Sequence, residues 1–431
     1  MNSFVKELIP QLIEWRRTFH ALPELGFMEY ITTYRIGKEL EAMGFTLHVG
    51  KEALKEDSRL GLPKEADLLA HEEKAAAWGV EKEWLEKMRN GNTGLVAEWD
   101  TGKQGDHIGF RFDIDALPIK ECAEESHLPS KNGFVSGEEN VMHACAHDGH
   151  TTIGLGVAKY IASHSDELKG KFTLLFQPAE EGGRGARPMR DKGWLDDVDA
   201  FYSGHIGINS MDVGTIAATT KGFLASTKFD ITFKGVSSHA GMHPELGKNA
   251  LLAATTTANN LYGIPRHHDG VSRVNVGKLT AGSARNIISE DSFMEIELRG
   301  QTEKISNHMV ERAMRIIKAS AEMHDVDYSI ESVGVTESMS CDEELIPKIT
   351  QWCEGSEFVK EVQPVAPVSG SEDASLMMNR VQEHGGKATY MLFGTKLDYP
   401  HHHPQFDYEE EVLAVAVETY IRILKGGSGD V

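Results

Sequence analysis

The sequence lacks the features that mark membrane-spanning, secreted and nucleic-acid-binding proteins. No apolar run approaches the roughly 20 residues needed to cross a bilayer, and no basic segment followed by an apolar one opens the chain. Only 44 basic side chains stand against 66 acidic ones, a net charge of -22, so duplex DNA and anionic membranes would be repelled. We therefore expect no nucleic acid and no membrane among its partners.

Cysteine is also scarce. The chain has four of them in 431 residues, too few and too scattered for a disulfide framework, which predicts reduced thiols. Because neither a leader-like nor a membrane-spanning pattern is found, we expect a cytoplasmic location. Internal repeats and low-complexity tracts are absent as well. The length and the 40% hydrophobic content predict a globular protein with two domains.

The first part of the chain alternates helical and strand patterns. Apolar side chains follow helical spacing at 4–20, 29–43 and 151–163, and short β-rich runs occupy 94–99, 108–113, 171–176 and 200–203. This alternation predicts an α/β fold with a mixed sheet flanked by helices. The charged segment 51–91 is interpreted as a helical insertion, either a solvated hairpin or one wall of a substrate pocket.

A different order occupies residues 224–335. The predicted elements are a strand at 228–233, a helix at 248–261, strands at 273–279 and 292–299, a helix at 305–323 and a strand at 327–330. This βαββαβ order is ferredoxin-like. Because the α/β pattern resumes afterwards, we predict a discontinuous first domain, 1–223 plus 336–431, into which the second domain is inserted.

The densest group of reactive side chains is the segment His143–His150, which holds three histidines and Cys145 just before a predicted helix. Thiolate and imidazole donors suit zinc or another late transition metal. A single Cys-x-His pair is more often a buried thiol beside a surface histidine. Four such donors within eight residues favour a metal site.

A pair of glutamates follows the predicted strand 171–176. Glu180 and Glu181 lie in a Pro- and Gly-bounded turn, where open α/β sheets collect ligands beyond their carboxyl ends. Adjacent acidic residues in a loop are usually just solvated. A hydrolytic metal centre, however, needs one carboxylate as a ligand and one as a base, and neighbouring residues point in different directions.

The remaining candidates are weaker when taken singly. His205 ends a strand, and His401–His403 can be a surface loop, but together they would supply the imidazoles that a pair of ions requires. Asp113 and Asp115 also follow a strand and are candidates to orient an imidazole, with an ordinary Asx turn as the alternative.

Five segments carry a resemblance to a known family: Arg111–Leu117, His143–His150, Gln177–Gly182, Ser238–Gly241 and Gly370–Asp373. They resemble the amidohydrolase branch of the aminoacylase and carboxypeptidase metallopeptidase family, nearly end to end. Within that branch, hydrolases of p-aminobenzoyl-glutamate are similar in four further segments: Ser58–Pro63, Ser272–Gly277, Gly370–Leu376 and Phe393–Thr395.

The resemblance implies two divalent metal ions, zinc or manganese. It implies Glu180 as the general base and these metal ligands: Cys145, His147, Glu181, His205 and His402. His402 is preferred because it stands four residues before Phe406, which matches the family's His-x-x-x-Phe spacing. His401 and His403 stay open as alternatives.

The resemblance also implies that the inserted domain is a lid that forms a homodimer. His239 would reach the active site of the partner chain and stabilise the oxyanion, and Asn275 and Arg285 would contact a substrate carboxylate. The implied reaction converts p-aminobenzoyl-glutamate to p-aminobenzoate and glutamate. The alternatives are hydrolysis of other N-acyl or auxin-type amino-acid conjugates, and a catalytically idle metal-binding chain that supports a related partner subunit.

Two positions depart from the family pattern. Ala146 stands where the family usually has glycine, and a Cβ atom is harmless there only if φ is negative. The family's Asn-Val-Ile-Pro is replaced by Asn286–Ser289, which loosens that turn. Neither position is an implied ligand.

Overall fold

Two β-sheets organise the protein. The computed structural model describes residues 2–427, and these residues form an eight-stranded and a four-stranded sheet. The chain divides into two units, of which unit 1 is discontinuous in sequence. Unit 1 comprises Met1–Lys221, Ser340–Val368 and Asp373–Val431, and unit 2 comprises Gly222–Met339 and Ser369–Glu372.

Strands and helices alternate over most of the chain. In chain order the strands are β1 (Thr46–Val49), β2 (Leu95–Asp100), β3 (His107–Asp113), β4 (Lys171–Gln177), β5 (Ala200–Ile206), β6 (Thr215–Lys221), β7 (Ala225–Lys234), β8 (Ser272–Ala281), β9 (Asp291–Gly300), β10 (Asp327–Thr336), β11 (Glu361–Pro367) and β12 (Lys387–Phe393). The helices are α1 (Asn2–His20), α2 (Tyr30–Met43), α3 (Glu65–Trp78), α4 (Lys82–Met88), α5 (Leu128–Lys131), α6 (His147–Ser163), α7 (Ala186–Arg190), α8 (Ala250–Tyr262), α9 (Glu303–Met323), α10 (Leu345–Cys353), α11 (Ala374–Glu383) and α12 (Glu411–Gly427). Within residues 2–427, no helix combines the length and the apolar composition needed to cross a bilayer.

The large sheet of unit 1 has the strand order β1-β2-β4-β3-β5-β12-β6-β11. Its centre, from β4 through β3 and β5 to β12, is parallel. The strand β2 pairs antiparallel with β4, and β12 pairs antiparallel with β6. The predicted mixed α/β architecture is therefore confirmed. Because parallel strands present their carboxyl ends at the same edge, the residues that follow β3, β4 and β5 are brought together.

Helix α6 is almost wholly buried in unit 1, where α1, α12 and β3 pack against it. Glycines allow this close packing. A Cβ atom at Gly154 would lie 2.6 Å from the Phe176 ring, and one at Gly156 would lie 2.8 Å from Val417. The packing fixes the first turn of α6, which begins at His147, against the carboxyl edge of the sheet.

The segment 51–91 contains α3 and α4, which pack on α2. Its apolar anchors Leu68, Ala75 and Trp84 are buried, whereas most of its charged side chains are exposed. The indole of Trp84 lies so close to Gly37 that a Cβ atom there would be 2.1 Å from the ring. Helix α4, which carries Trp84, can therefore pack this closely on α2 only because residue 37 is a glycine.

Unit 2 is built on the antiparallel sheet β10-β7-β9-β8. Its elements follow in the order β7-α8-β8-β9-α9-β10, which is the predicted ferredoxin-like arrangement. Both helices begin at a capping side chain, since Asn249 accepts the N–H of Leu252 and Thr302 accepts the N–H of Ile305. A hydrophobic core of its own lies between these helices and the sheet.

Candidate metal centre

The candidate metal centre lies at the carboxyl edge of the large sheet. Asp113 ends β3, Gln177 ends β4 and leads into the Glu180–Glu181 loop, and His205 lies at the end of β5. His147 joins them as the first residue of α6. The topology thus gathers side chains that are separated by up to 92 residues in sequence, from Asp113 to His205.

The structure brings the five implied ligands together. Ligand atoms lie within 4.8 Å of one another in three overlapping groups: Cys145, His147 and His205; Cys145, Glu181 and His402; and His147, Glu180 and Glu181. Because the groups share members, they form one continuous cluster of thiol, imidazole and carboxylate donors. Glu180 is part of that cluster, as the general-base role requires.

The two buried imidazoles of the cluster are oriented by their Nδ1 atoms. The Nδ1–H of His147 donates to the Asp115 carbonyl at 2.9 Å and lies 3.2 Å from the Asp115 carboxylate. The Nδ1–H of His205 donates to the Ile206 carbonyl at 2.7 Å. In each ring the Nε2 lone pair is then available for a cation, and the Nε2 of His205 lies 3.5 Å from the Cys145 sulfur.

Asp115 also fixes the loop that carries the glutamates. Its two carboxylate oxygens accept the backbone N–H groups of Glu180 and Glu181, each at 3.0 Å. A second buried carboxylate, Glu29, accepts the N–H of Ala179 at 2.8 Å. Burial, followed by the charge of Asp115, raises the pKa of Glu29 to about 8. Asp115 therefore orients His147 and both glutamates at once.

The three consecutive histidines occupy different surroundings. The Nε2 of His402 lies 3.3 Å from Glu181, within the cluster. The Nε2 of His401 instead accepts the N–H of Ile208 at 2.9 Å. The ring of His403 stacks on Tyr399 with centroids 4.6 Å apart. The His401 ring also packs edge-on against His205, with centroids 5.0 Å apart, but its Nε2 is used by Ile208. His402 offers a nitrogen within 4.8 Å of ligand atoms of Cys145 and Glu181, which favours it among the three.

Left-handed backbone conformations concentrate at this cluster. The φ angle of Ala146 is 63°, that of Ala179 is 48° and that of His402 is 65°. The condition of a negative φ at Ala146 is therefore not met. Its Cβ atom strains the loop between two implied ligands by about 1–2 kcal/mol, and such strain persists where the surrounding packing dictates the conformation.

Burial sets the charge states of the donors. Burial, with Glu181 next to the thiol, raises the pKa of Cys145 well above its ordinary value. Burial and the neighbouring His150 ring lower the pKa of His205. Burial alone would lower the pKa of His147, but the Asp113 carboxylate and the bond to Asp115 outweigh it and raise that pKa. Without a cation the Cys145 thiol is therefore held in its neutral form, and a bound metal ion would favour the thiolate instead.

Asp113 lies behind the cluster and is held by three cationic or donor groups. It accepts the Nδ1–H of His150 at 2.5 Å and a guanidinium N–H of Arg111 at 2.7 Å. Burial would raise the pKa of Asp113, but His147 and Arg111 hold it well below its usual range. Because the Nε2 of His150 accepts the N–H of Ile206 at 2.9 Å, both nitrogens of that ring are already used.

The donors fit divalent metal ions. Among residues 2–427, the buried Nε2 atom of His147 and the buried Oε1 atom of Glu181 find no hydrogen-bond partner, although buried polar atoms normally have one. Imidazole, thiolate and carboxylate are the ligand types of zinc sites. A cation at this position would satisfy both atoms.

Three of the implied site residues belong to unit 2 and are exposed there: His239, Asn275 and Arg285. The Nδ1 of His239 accepts the N–H groups of Gly241 and Met242 at 3.2 and 3.1 Å. Asn275 accepts the hydroxyl of Tyr262 at 3.2 Å. All three of these hydrogen bonds join residues of unit 2.

A buried charge cluster next to the centre was missed by the sequence reasoning. The guanidinium of Arg16, which is fully buried, donates to Asp148 at 3.0 Å. The ring of His20 donates to Asp148 at 2.8 Å and to Glu121 at 2.9 Å. Burial lowers the pKa of His20, but these two bonds outweigh it and raise the pKa to about 9. Only Asp148, inside the histidine-rich motif, carried any signal in the sequence.

Known proteins match the chain over nearly its whole length. The indole-3-acetyl-aspartic acid hydrolase of Enterobacter agglomerans is 41% identical, over 97% of this chain and 96% of its own. One subunit of the p-aminobenzoyl-glutamate hydrolase of Escherichia coli strain K12 is 42% identical, over 98% of this chain and 97% of its own. The crystal structure of the aminobenzoyl-glutamate utilization protein from Klebsiella pneumoniae superposes with a TM-score of 0.85 and 36% identity, covering 99% of this chain and 98% of that one.

A family match adds to these relatives. The peptidase family M20/M25/M40 matches residues 109–426, a span that runs from β3 to the last helix and includes every implied metal ligand. The resemblance inferred from the motifs is thereby confirmed. The chain belongs to the peptidase family M20/M25/M40 and is an amidohydrolase of that metallopeptidase family.

Proposed function

We propose that the protein hydrolyses the amide bond of an N-acyl amino acid, with p-aminobenzoyl-glutamate as its substrate and two divalent ions, zinc or manganese, in its centre. The observation that carries this proposal is the convergence of Cys145, His147, Glu181, His205 and His402 around Glu180. Bound at these ligands, divalent ions supply Lewis-acid chemistry, which lowers the pKa of water and polarises an amide carbonyl.

Glu180 is the group that moves protons in this proposal. Its carboxylate oxygen lies 3.9 Å from the Nε2 of His147, and Asp115 fixes its backbone. Glu180 takes a proton from water as that water attacks the carbonyl carbon, and it then delivers the proton to the leaving amine nitrogen. The C–N bond breaks, and a carboxylic acid and a free amino acid leave.

His239 is proposed to stabilise the oxyanion that forms on the carbonyl oxygen. Because its Nδ1 accepts two backbone N–H groups, the neutral ring carries its proton on Nε2. An Nε2–H group is the donor that an oxyanion requires, and such a donor commonly contributes about 3 kcal/mol. The tautomer thus supports this role for an exposed histidine.

Asn275 and Arg285 are proposed to recognise a carboxylate of the amino-acid half of the substrate. A guanidinium offers a carboxylate two parallel N–H donors, which an ammonium group cannot do. Both side chains are exposed in unit 2, so neither is committed to the core. Replacing this pair would raise KM more than it lowers kcat.

The relatives' names define the two substrates to compare. One relative is named for p-aminobenzoyl-glutamate and another for indole-3-acetyl-aspartate, and their identities to this chain are nearly equal, 42% and 41%. The solved Klebsiella relative is again named for aminobenzoyl-glutamate. This last similarity supports the aminobenzoyl conjugate as the first candidate and the indole conjugate as the second.

The test is a substrate panel with the purified chain alone, after reconstitution with Zn2+ or Mn2+. We expect release of glutamate from p-aminobenzoyl-glutamate, with kcat/KM at least about tenfold above that for indole-3-acetyl-aspartate. One methylene in an apolar pocket is discriminated by roughly 10–200-fold, and these two conjugates differ in both the acyl group and the amino acid. Amino-acid release would be measured by chromatography. A higher kcat/KM for indole-3-acetyl-aspartate would instead identify the indole conjugate as the substrate.

The same panel separates an active enzyme from an idle chain. An idle chain would bind metal but release no amino acid from any conjugate. Activity that appears only after a related partner chain is added would overturn the proposal for the isolated protein. Metal content, measured on the same samples, ensures that inactivity is not a loading failure.

A homodimer formed through unit 2 is part of the proposal. Met242 and Leu246 are 68% and 66% exposed, and Ile287, which bridges to His239, is 42% exposed. Apolar side chains of this size are normally withdrawn from water, and their exposure around His239 supports coverage by a second chain. The proposed role of His239 in the partner's site follows from that arrangement.

Mixing two inactive variants tests whether the site is shared. Glu180→Gln and His239→Ala homodimers are each expected to be nearly inactive. After mixing and subunit exchange, a mixed dimer contains one site with an intact Glu180 from one chain and an intact His239 from the other. We expect about a quarter of the wild-type activity to return if pairing is random in a symmetric dimer.

The unmixed variants, carried through the same exchange procedure, are the control. If His239 served the centre of its own chain, no mixed dimer would contain a complete site and mixing would restore nothing. A monomeric mass for the active wild-type protein would also contradict the shared site.

A further inference from the structure

A second cluster of metal-type donors lies in unit 2, in the loop between α8 and β8. His267, His268 and Asp269 offer ligand atoms that all lie within 4.8 Å of one another. The Nε2 of His268 is 2.7 Å from one carboxylate oxygen of Asp269, and the Nδ1 of His267 is 3.8 Å from the other. Two imidazoles and a carboxylate are a donor set that suits Zn2+ and similar late divalent ions.

The loop is anchored on both sides of this cluster. The N–H of His267 donates to the Ser272 hydroxyl at 3.1 Å. Val271 and Gln301 exchange two hydrogen bonds, from the Val271 N–H to the Gln301 side chain at 2.9 Å and from the Gln301 N–H to the Val271 carbonyl at 2.8 Å. The ring of His308, on α9, packs edge-on against His267 with centroids 5.3 Å apart. Binding an ion would therefore order little additional backbone.

The Nδ1 atom of His267 faces Asp269 and is unprotonated. Its Nδ1 accepts the N–H of Asp269 at 3.2 Å, so the lone pair points toward the Asp269 end of the loop. An accepting nitrogen is an unprotonated one, which is the form that coordinates metal. A cation at this nitrogen would displace the N–H of Asp269, and Asp269 is an exposed residue whose N–H can bond to water instead.

Lys304 provides positive charge beside the same carboxylate. Its Nζ lies 3.5 Å from Asp269, and its side chain is 80% exposed. An exposed pair of this kind contributes at most about 1 kcal/mol, so the lysine can move into water at little cost. A doubly charged ion attracts the carboxylate more strongly than the ammonium group does.

We propose that His267, His268 and Asp269 form a further Zn2+ site, separate from the ligands of the proposed catalytic centre. The ion joins two imidazoles and a carboxylate of one loop and neutralises the carboxylate. Water completes its coordination, because His268 is 89% exposed. The site stiffens the connection between α8 and β8 and takes no part in amide hydrolysis.

The test is a calorimetric titration of the metal-loaded enzyme with Zn2+ at neutral pH. We expect the wild-type protein to take up one Zn2+ per chain beyond the ions it already holds. His268→Ala and Asp269→Asn are each expected to weaken this uptake at least about tenfold, with amide hydrolysis unchanged. Lys304→Ala removes the competing charge and should strengthen uptake roughly two- to fivefold.

The matched control is His384→Ala, which removes another exposed histidine outside the cluster. It should leave the additional uptake unchanged. Anomalous diffraction at the zinc edge from a soaked crystal should give a peak at His267–Asp269. The proposal is overturned if the wild type takes up no additional Zn2+, or if His268→Ala and Asp269→Asn bind it as tightly as the wild type does. Because the variants are compared with the wild type directly, this outcome does not depend on the proposed amidohydrolase substrate.

Discussion

Replacing Glu180 by glutamine is expected to lower kcat by about 10²- to 10⁴-fold, which is the range that a positioned general acid and base contributes. The amide of glutamine keeps the shape of the side chain but cannot take a proton from water or deliver one to the leaving amine. The backbone N–H of residue 180 still bonds to Asp115, so the loop geometry should be retained. The measurement is steady-state hydrolysis of p-aminobenzoyl-glutamate together with metal content by elemental analysis.

Glu181→Gln is the matched comparison for this prediction. Glu181 is the next residue, bonds to Asp115 through the same kind of N–H contact and lies 3.3 Å from His402. Because Glu181 is proposed as a ligand, its variant should lose metal as well as activity, whereas Glu180→Gln should lose activity alone. A Glu180→Gln enzyme with kcat close to wild type, or with its metal lost, would assign the base to another group.

Replacing Arg16 by methionine is expected to destabilise the protein by about 3–5 kcal/mol, the cost of breaking a buried ion pair, since Asp148 then keeps only His20 as a cationic partner. The guanidinium is fully buried and donates to Asp148 at 3.0 Å and to Glu410 at 3.2 Å, with a third contact to Asp407. It also lies over the ring of Tyr408, 4.5 Å from the centroid. The change in free energy would be measured by denaturant unfolding of the metal-free protein.

Arg17→Met is the control, because it removes the neighbouring arginine. Arg17 bonds to the same Glu410, at 2.8 Å, but its side chain is 36% exposed. Solvent screening limits such a pair to about 1 kcal/mol or less. Equal losses from the two variants would show that burial of the Arg16 charge is not the cause. Since Asp148 directly follows His147, Arg16→Met should also weaken metal binding.

The sequence alone determined the fold class and most of the candidate centre. Helical spacing and β-rich runs are local properties of the sequence, so the order β7-α8-β8-β9-α9-β10 could be predicted without knowledge of how the strands pair. The histidine-rich segment His143–His150 and the turn at Glu180–Glu181 could also be recognised locally, through donor chemistry and position at strand ends. The strands β6 and β11 could not be predicted in this way, because their places in the sheet depend on pairing with distant strands.

The tertiary structure gave a physical basis for preferring His402, a preference that rested in the sequence on the family's His-x-x-x-Phe spacing alone. The three histidines differ in their contacts. His401 and His402 contact distant residues, the N–H of Ile208 and the carboxylate of Glu181, whereas His403 stacks on the nearby ring of Tyr399. Side-chain direction depends on such packing and on the left-handed φ of His402. No local pattern encodes either property.

The buried charges were likewise decided by the fold. Arg16 and Asp148 are 132 residues apart, and Arg111 reaches Asp373 across 262 residues, so nothing in their local surroundings predicts the pairing. The left-handed φ of Ala146 likewise depends on the fold, because the packing around α6 dictates it. The sequence thus determined which chemical groups the centre contains, whereas the tertiary structure decided their orientation, since orientation depends on contacts between residues far apart in the chain.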